Sequence, residues 1–162
     1  MNSHETLLTV KDLVTRFDIR SGIFRQVSHR VHAVENATFE IGVGETLALV
    51  GESGSGKSTI GRSILQLDMP RSGSVNFGGK ELLGLSHKEL RPFRKSAQII
   101  FQDPFSSLDP RMTVGRIIAE PMIIHGEVKK DELRERVLTL LERVDLGSEH
   151  MSRYPHAFSG GQ

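Results

Sequence analysis

The sequence predicts an α/β fold, and three adjoining patterns predict it. Residues 46–50, Thr-Leu-Ala-Leu-Val, form an apolar run with the length and composition of a buried strand. The glycine-rich residues 51–58 follow without a gap. After them, apolar side chains recur at helical spacing until Pro70. A strand that enters a tight loop and continues as a helix is typical of α/β proteins.

Residues 51–58 carry the complete pattern of a phosphate-binding loop, G-x-x-x-x-G-K-S. Its glycines adopt positive φ without strain, so backbone N–H groups can turn inward around an anion. The N-terminus of the following helix adds partial positive charge. Lys57 is expected to reach the β- and γ-phosphates of a nucleotide, and Ser58 to ligate Mg²⁺. The predicted nucleotide-binding residues of this segment are Gly51, Ser53, Gly54, Ser55, Gly56, Lys57, Ser58 and Thr59.

The alternative interpretation of residues 51–58 is a glycine-rich hairpin that binds no ligand and precedes a surface helix. The strand before the loop and the helix after it favour the nucleotide site. The loop alone does not distinguish kinases, GTPases and transport ATPases, since all of them use it.

Composition indicates a soluble globular protein. Of the 162 residues, 37% are hydrophobic and 25% charged, with 21 basic against 20 acidic side chains. A net charge of +1 excludes an overall positive electrostatic potential strong enough to bind nucleic acid or an anionic membrane. The absence of cysteine excludes disulfides and thiolate metal sites. The N-terminus lacks the layout of an export signal, so we expect a cytosolic protein that docks on a membrane protein.

The N-terminal third is expected to start a sheet. Residues 7–17 have strand composition, and residues 37–41 alternate as a half-buried strand before a turn at 42–45. Between them, residues 18–32 contain several basic side chains and show neither helical nor strand periodicity. We interpret them as an exposed insertion whose basic residues contact phosphate or RNA or, as we prefer, are simply solvated.

The remaining elements alternate between hairpin, strand and helices. Residues 74–83 predict a hairpin that turns at Gly78 and Gly79, and residues 86–89 predict a helix with a capping box. Residues 98–101 read as the next buried strand, followed by a stiff loop with two Asp-Pro pairs. A helix over 113–124 is expected to kink or end at Pro121, and Asp131 is expected to cap the helix that follows.

The last residues, Phe158 followed by Ser-Gly-Gly-Gln, complete a recognisable set of motifs. With the phosphate loop roughly a hundred residues earlier and Gln102 between them, the chain resembles the nucleotide-binding subunits of ABC transporters from Leu7 to Gln162. Residues 51–58 correspond to that family's phosphate loop, Gln102 to the Q-loop glutamine, and residues 159–162 to the signature motif. The resemblance implies a P-loop NTPase fold of ABC type, with an antiparallel β subdomain, the start of a helical subdomain and an incomplete core sheet. It also implies two domains: residues 1–102 as a RecA-like core with the β subdomain, and residues 103–162 as the Q-loop and partial helical subdomain.

One branch of the family fits best. Phe158 stands where a leucine usually precedes the signature serine. This residue, the preceding Tyr-Pro-His, the Asp-Pro segment and the insertion at 17–32 are similar to the oligopeptide, dipeptide and glutathione importers. Within that branch the chain is most similar to the second ATPase subunit, or to the second half of a fused one.

The resemblance implies a site and a set of partners. ATP and Mg²⁺ would bind at Lys57 and Ser58, with adenine stacked on Phe17 or, as alternatives, on Phe24 or His32. Gln102 would sense Mg²⁺ and the γ-phosphate and act with Lys57 in catalysis. The implied partners are a second ATP-binding domain, transmembrane permease subunits at the cytoplasmic face and an extracytoplasmic solute-binding protein, with no nucleic acid. The ATP bound to the phosphate loop of the second domain would be covered by Ser159, Gly160, Gly161 and Gln162 of this chain.

The chain departs from the family pattern at its end. Family members continue into a strand with a Mg²⁺-binding aspartate and a catalytic glutamate, and then a switch histidine. In these 162 residues no run of four apolar residues is followed by Asp-Glu, so no candidate general base is present. We therefore expect the N-terminal part of a longer ATPase that by itself binds nucleotide poorly and does not turn over. A soluble ABC-type ATPase acting on nucleic acid or ribosomes, and an inactive nucleotide-binding remnant, stay open as alternatives.

Overall fold

The computed structural model describes residues 5–21, 26–103, 107–126 and 128–159. The chain divides into two compact units, Met1–Ile99 and Ile100–Gln162. The functional meaning assigned to residues 1–102 and 103–162 stays a prediction. Within the described ranges, no helix has the length and apolar character needed to cross a bilayer.

A four-stranded antiparallel sheet forms the first unit. Its strands are β1 (Thr6–Ser21), β2 (Gln26–Gly42), β3 (Ser72–Phe77) and β4 (Lys80–Glu81), in the spatial order β2-β1-β3-β4. The pairing of β1 with β2 runs from Thr6 to Ser21, whereas its pairing with β3 stops at Val14. Residues 15–21 and 26–34 therefore extend past β3 as a two-stranded segment, which we call the ribbon.

Two helices accompany this sheet, α1 (Lys57–Ile64) and α2 (His87–Ser96). Phe93 of α2 packs edge-on against Phe77 of β3, with ring centroids 5.0 Å apart. The predicted capping box of α2 is confirmed, because Ser86 Oγ accepts from the Glu89 N–H and Glu89 Oε2 accepts from the Ser86 N–H. The buried core of the unit comprises Leu8, Val10, Leu13, Val75, Leu82, Leu90 and Phe93.

The hairpin predicted at 74–83 is also confirmed. Phe77 pairs with Lys80 across a two-residue turn, and Gly78 and Gly79 have φ of 56° and 82°. Two successive positive φ angles suit the right-handed twist of the flanking strands, and glycine adopts them without strain. The Glu81 carboxylate then closes the hairpin by accepting from the backbone N–H groups of Val75, Leu82 and Leu83.

The second unit contains α3 (Val114–His125), α4 (Leu133–Glu142) and two short 3₁₀ turns, Ser148–His150 and Pro155–Ala157. Its buried core is Ala119 and Met122 of α3 with Val137 and Leu141 of α4. The first N–H groups of α3 have no acceptors inside the helix. The segment after the first 3₁₀ turn supplies carbonyl acceptors for two of these groups. Val114 N donates to the Arg153 carbonyl (2.8 Å) and Gly115 N to the Met151 carbonyl (3.0 Å).

Two predicted strands are not formed. Residues 46–50 have no strand pairing, and the side chain of Val50 is 93% exposed. Residues 98–101 are likewise unpaired, with Ile100 96% exposed. A strand exists only where a neighbour satisfies its backbone groups, and the described residues place no neighbour beside either segment. The predicted β subdomain is therefore present, whereas the central strands of the core sheet are not formed.

Three further predictions were wrong in detail. Most of the expected insertion at 18–32 is strand. The prediction failed because the charged residues that alternate along these strands give the segment the composition of a loop. Pro121 does not end α3, which continues to His125, because proline removes only one backbone bond of the helix there. The alternative expectation, a kink at Pro121, stays a prediction. Asp131 does not cap α4, whose N-cap is Glu132 without a side-chain hydrogen bond.

Candidate nucleotide-binding site

The glycine-rich loop joins residue 50 to α1 and is open to solvent. Gly54 has φ of 82°, and Gly56, the N-cap of α1, lies in the left-handed region with φ of 91° and ψ of 0°. The Gly56 carbonyl accepts the first intrahelical hydrogen bond, from the Ile60 N–H at 2.9 Å. No acidic residue stands in the first turn of α1. The loop therefore presents the positive end of a helix beside exposed glycine backbone, an arrangement that favours phosphate binding.

The ammonium group of Lys57 lies inside this loop. Its Nζ donates to the carbonyl oxygens of Gly51 (2.8 Å) and Glu52 (2.6 Å) and to Ser55 Oγ (3.2 Å). These three acceptors use all three N–H bonds of the ammonium. The predicted phosphate ligand is thus held by the loop that precedes it, and a positive charge is fixed at this loop.

The sheet fixes the base of the loop. At Gly56 an added Cβ would lie 2.2 Å from the carbonyl oxygen of Ala33, so only glycine allows β2 to pass this close. Ala33 lies at an irregularity of the β1–β2 pairing, between the pairs Thr15–Val34 and Arg16–His32. About two turns further along α1, Ser63 Oγ is 2.8 Å from Thr15 Oγ1, and both residues are fully buried. The loop and α1 are therefore anchored to β1 and β2 through main-chain contact and one buried hydrogen bond.

Phe17 lies on the same face of β1 as Thr15, because residues two apart in a strand share a face. That is the face carrying α1. The Phe17 ring is 39% exposed and its cross-strand partner is Val31. The alternative His32 is engaged elsewhere, since its Nδ1 is 2.7 Å from Glu35 Oε1. The other alternative, Phe24, lies outside the described residues.

Gln102 and the predicted signature residues 159–162 belong to the second unit. Gln102 and Ser159 are both exposed, and Gly160, Gly161 and Gln162 lie outside the described residues. In the loop itself Ser53 and Ser55 are exposed, as is Ser58 in the first turn of α1, while Thr59 is half-buried. The roles of all these residues stay predictions.

Sequence reasoning missed the residues that support the loop. Thr15, Ala33 and Ser63 carry no motif, and their contacts depend on which part of the sheet passes beneath α1. A polar pair on facing apolar positions, Thr15 in a strand and Ser63 in a helix, was the only signal in the sequence that could have suggested a buried hydrogen bond.

Comparison with known proteins identifies the family. The family model described as ABC transporter matches residues 34–162. The chain belongs to the ABC transporter family. The stated resemblance to this family is therefore confirmed. The chain is 56% identical over 158 residues to a protein of Salmonella paratyphi A named glutathione import ATP-binding protein GsiA. It is 52% identical over the same length to the GsiA protein of Escherichia coli O157:H7.

These matches cover 98% of this chain but 25% of the relatives, so the chain spans about a quarter of their length. Two solved ABC structures also match. One is a dimeric post-hydrolysis state of the ATP-binding cassette MJ0796 bound to ADP and Pi, with TM-score 0.76 and 29% identity over 96% of this chain and 65% of that one. The other is cbiO1 from Clostridium perfringens, with TM-score 0.68 and 26% identity over 98% of this chain and 57% of that one. The predicted fold class is confirmed by these likenesses.

Proposed function

We propose that the polypeptide carrying this chain is the ATP-binding subunit of an importer, which couples ATP binding and hydrolysis to uptake of glutathione or small peptides. The observation that carries the proposal is the glycine loop with the Lys57 ammonium fixed inside it, in a chain of the ABC family. The solute class rests on the names of the relatives, which are 51–56% identical.

The loop fits a nucleotide polyphosphate. Glycines with positive φ leave room at its surface, α1 presents its N-terminus, and no carboxylate in the first turn opposes an anion. Lys57 would exchange one or more of its loop acceptors for phosphate oxygens and so neutralise the charge on the β- and γ-phosphates. Ser58 and Gln102 would hold Mg²⁺, which would supply positive charge to offset the charge of the phosphates. Phe17 would stack on adenine, using the exposed ring face that β1 presents beside α1.

The proposed cycle needs a second ATP-binding domain, identical or homologous. Ser159, Gly160, Gly161 and Gln162 would contact the ATP held by the partner's loop, so that each nucleotide is enclosed only when the two domains close. A contact made only in the closed state shifts the population toward that state and can move attached permease subunits. We place this assembly at the cytoplasmic face of the membrane, with an extracytoplasmic solute-binding protein on the other side. We further propose that the 162 residues alone do not sustain ATP turnover, because they contain no candidate general base.

The test uses the complete polypeptide in membrane vesicles with its permease. Lys57→Ala is expected to abolish ATP-driven uptake of labelled glutathione and dipeptides, because it removes the cation fixed in the loop. Lys88→Ala, at an exposed position in the first turn of α2, is the matched control and should leave uptake unchanged. Uptake that persists in Lys57→Ala would refute the proposal. Binding to RNA that falls steeply with salt would instead support an ATPase acting on nucleic acid.

A further inference from the structure

The ribbon has two chemically different faces. Its pairing is regular from Arg16 to Ile19, with Phe17 opposite Val31 and Asp18 opposite Arg30. Alternation along each strand therefore puts Phe17, Ile19 and Val31 on one face. These three side chains are 39%, 48% and 45% exposed. The charged residues Arg16, Asp18 and Arg30 lie on the opposite face.

Asp18 is the centre of the charged face. Its carboxylate accepts from Arg30 Nε at 2.7 Å, across the strand pair, and from Arg71 Nη2, which lies outside the ribbon. We call Asp18, Arg30 and Arg71 the clasp. The hydrogen bond from Arg30, aided by that from Arg71, lowers the pKa of the Asp18 carboxyl although burial opposes the shift. The carboxylate is therefore charged at neutral pH while its side chain is only 18% exposed.

The clasp attaches the ribbon where the sheet no longer does. Pairing between β1 and β3 ends at Val14, whose carbonyl accepts from the Arg71 N–H at 2.7 Å. Asp18 is four residues further along β1, a distance of about 13 Å. Two-stranded segments are marginally stable and twist more freely than wider sheets. Because the Arg71 side chain reaches forward to Asp18, the orientation of the ribbon is tied to the chain that precedes β3.

We propose that Asp18 is a positioning residue for the nucleotide base. Through Arg30 and Arg71 it holds the ribbon so that the opposite face presents Phe17 and Val31 to adenine. The inference rests on the proposed ATP site and adds a residue that does not touch the nucleotide. Val31 becomes a second apolar contact for the base, because it is the cross-strand neighbour of Phe17.

The experiment separates base binding from phosphate binding. In the complete polypeptide, equilibrium affinities are measured for Mg-ATP and for Mg-tripolyphosphate, which has no base. Asp18→Asn is expected to weaken ATP binding about fivefold, the lower end of what losing one base–aromatic stack costs. Tripolyphosphate binding should not change, because Thr15 and Ala33, which anchor the loop, lie at the base of the ribbon beside the end of the β1–β3 pairing at Val14, whereas the clasp acts farther along β1 at Asp18.

Asp68→Asn is the matched control. The Asp68 carboxylate is 16% exposed and accepts from Arg62 Nε at 2.7 Å, so it resembles Asp18 in burial and partner but lies outside the ribbon. It should leave both affinities unchanged. Asp18→Glu retains the charge and should recover most of the lost ATP affinity.

Three results would overturn the positioning role: no loss in Asp18→Asn, an equal loss for both ligands, or no recovery in Asp18→Glu. An equal loss would mean that Asp18 only supports the loop. If the unmodified protein bound tripolyphosphate as tightly as ATP, the base contact would be refuted while the phosphate loop stood. If it bound neither ligand, the proposed function would fail, and this inference with it.

Discussion

Replacing Gly56 by alanine is expected to destabilise the first unit by about 3 kcal/mol. Two costs add at this position. An L-residue in the left-handed region, here at φ of 91°, costs about 1–2 kcal/mol. The new Cβ would also lie 2.2 Å from the Ala33 carbonyl oxygen, whereas real Cβ contacts essentially never fall below 3.0 Å, so the loop and β2 must separate by about 0.8 Å. Overpacking of this kind costs about 1–3 kcal/mol.

Gly54→Ala provides the matched control. Gly54 has a similar φ of 82°, but an added Cβ there meets nothing within 4 Å. It should cost only the conformational term, about 1 kcal/mol. The difference between the two variants isolates the approach of the loop to β2.

Urea unfolding gives the free energies, and hydrogen exchange at the Ile60 amide reports the local effect. That amide donates to the Gly56 carbonyl at 2.9 Å, so displacement of Gly56 should speed its exchange in Gly56→Ala but not in Gly54→Ala. Equal destabilisation by the two variants, with equal exchange at Ile60, would refute the close approach of Gly56 and Ala33.

Two other predictions concern the anchoring of the loop and the hairpin. Thr15→Val removes one partner of the buried Thr15–Ser63 hydrogen bond and should cost about 1–3 kcal/mol in urea unfolding. Adding Ser63→Ala should restore part of that loss, and a purely additive second loss would contradict the bond. Burial alone would raise the pKa of Glu81. The hydrogen bonds that its carboxylate accepts from the Ser74 hydroxyl and from backbone N–H groups lower this pKa below the ordinary 4.5. Its stabilisation is therefore complete above pH 4.5 and is lost as the pH falls through the lower folded value. The stability difference between the unmodified chain and Glu81→Gln should thus shrink between about pH 7 and pH 3, and a difference that stayed constant would speak against the carboxylate clamp.

The features that sequence reasoning predicted correctly are those decided within a few residues. The turn at Gly78 and Gly79, the Ser86–Glu89 capping box and the helix after the glycine loop all follow from local conformational preference and short-range hydrogen bonds. The same locality explains why the phosphate-binding pattern is recognisable from residues 51–58 alone.

The failures concern segments whose state depends on distant neighbours. Residues 46–50 have strand composition, but composition does not supply a pairing partner, and the segment stays unpaired. Residues 18–21 and 26–32 have the composition of a loop but pair as strands, with Asp18 and Arg30 forming an ion pair across the ribbon. The fit of Ala33 against Gly56 was not predictable, since it depends on an irregularity in strand pairing that leaves no local trace.

The bonds of Lys57 to its own loop have a consequence for how strongly any anion is held. The ammonium is already satisfied by Gly51, Glu52 and Ser55, so an arriving ligand replaces existing bonds instead of filling vacant ones. Net affinity is then the difference between two similar sets of interactions and is smaller than either set alone. Because these bonds re-form when the anion leaves, they favour its release.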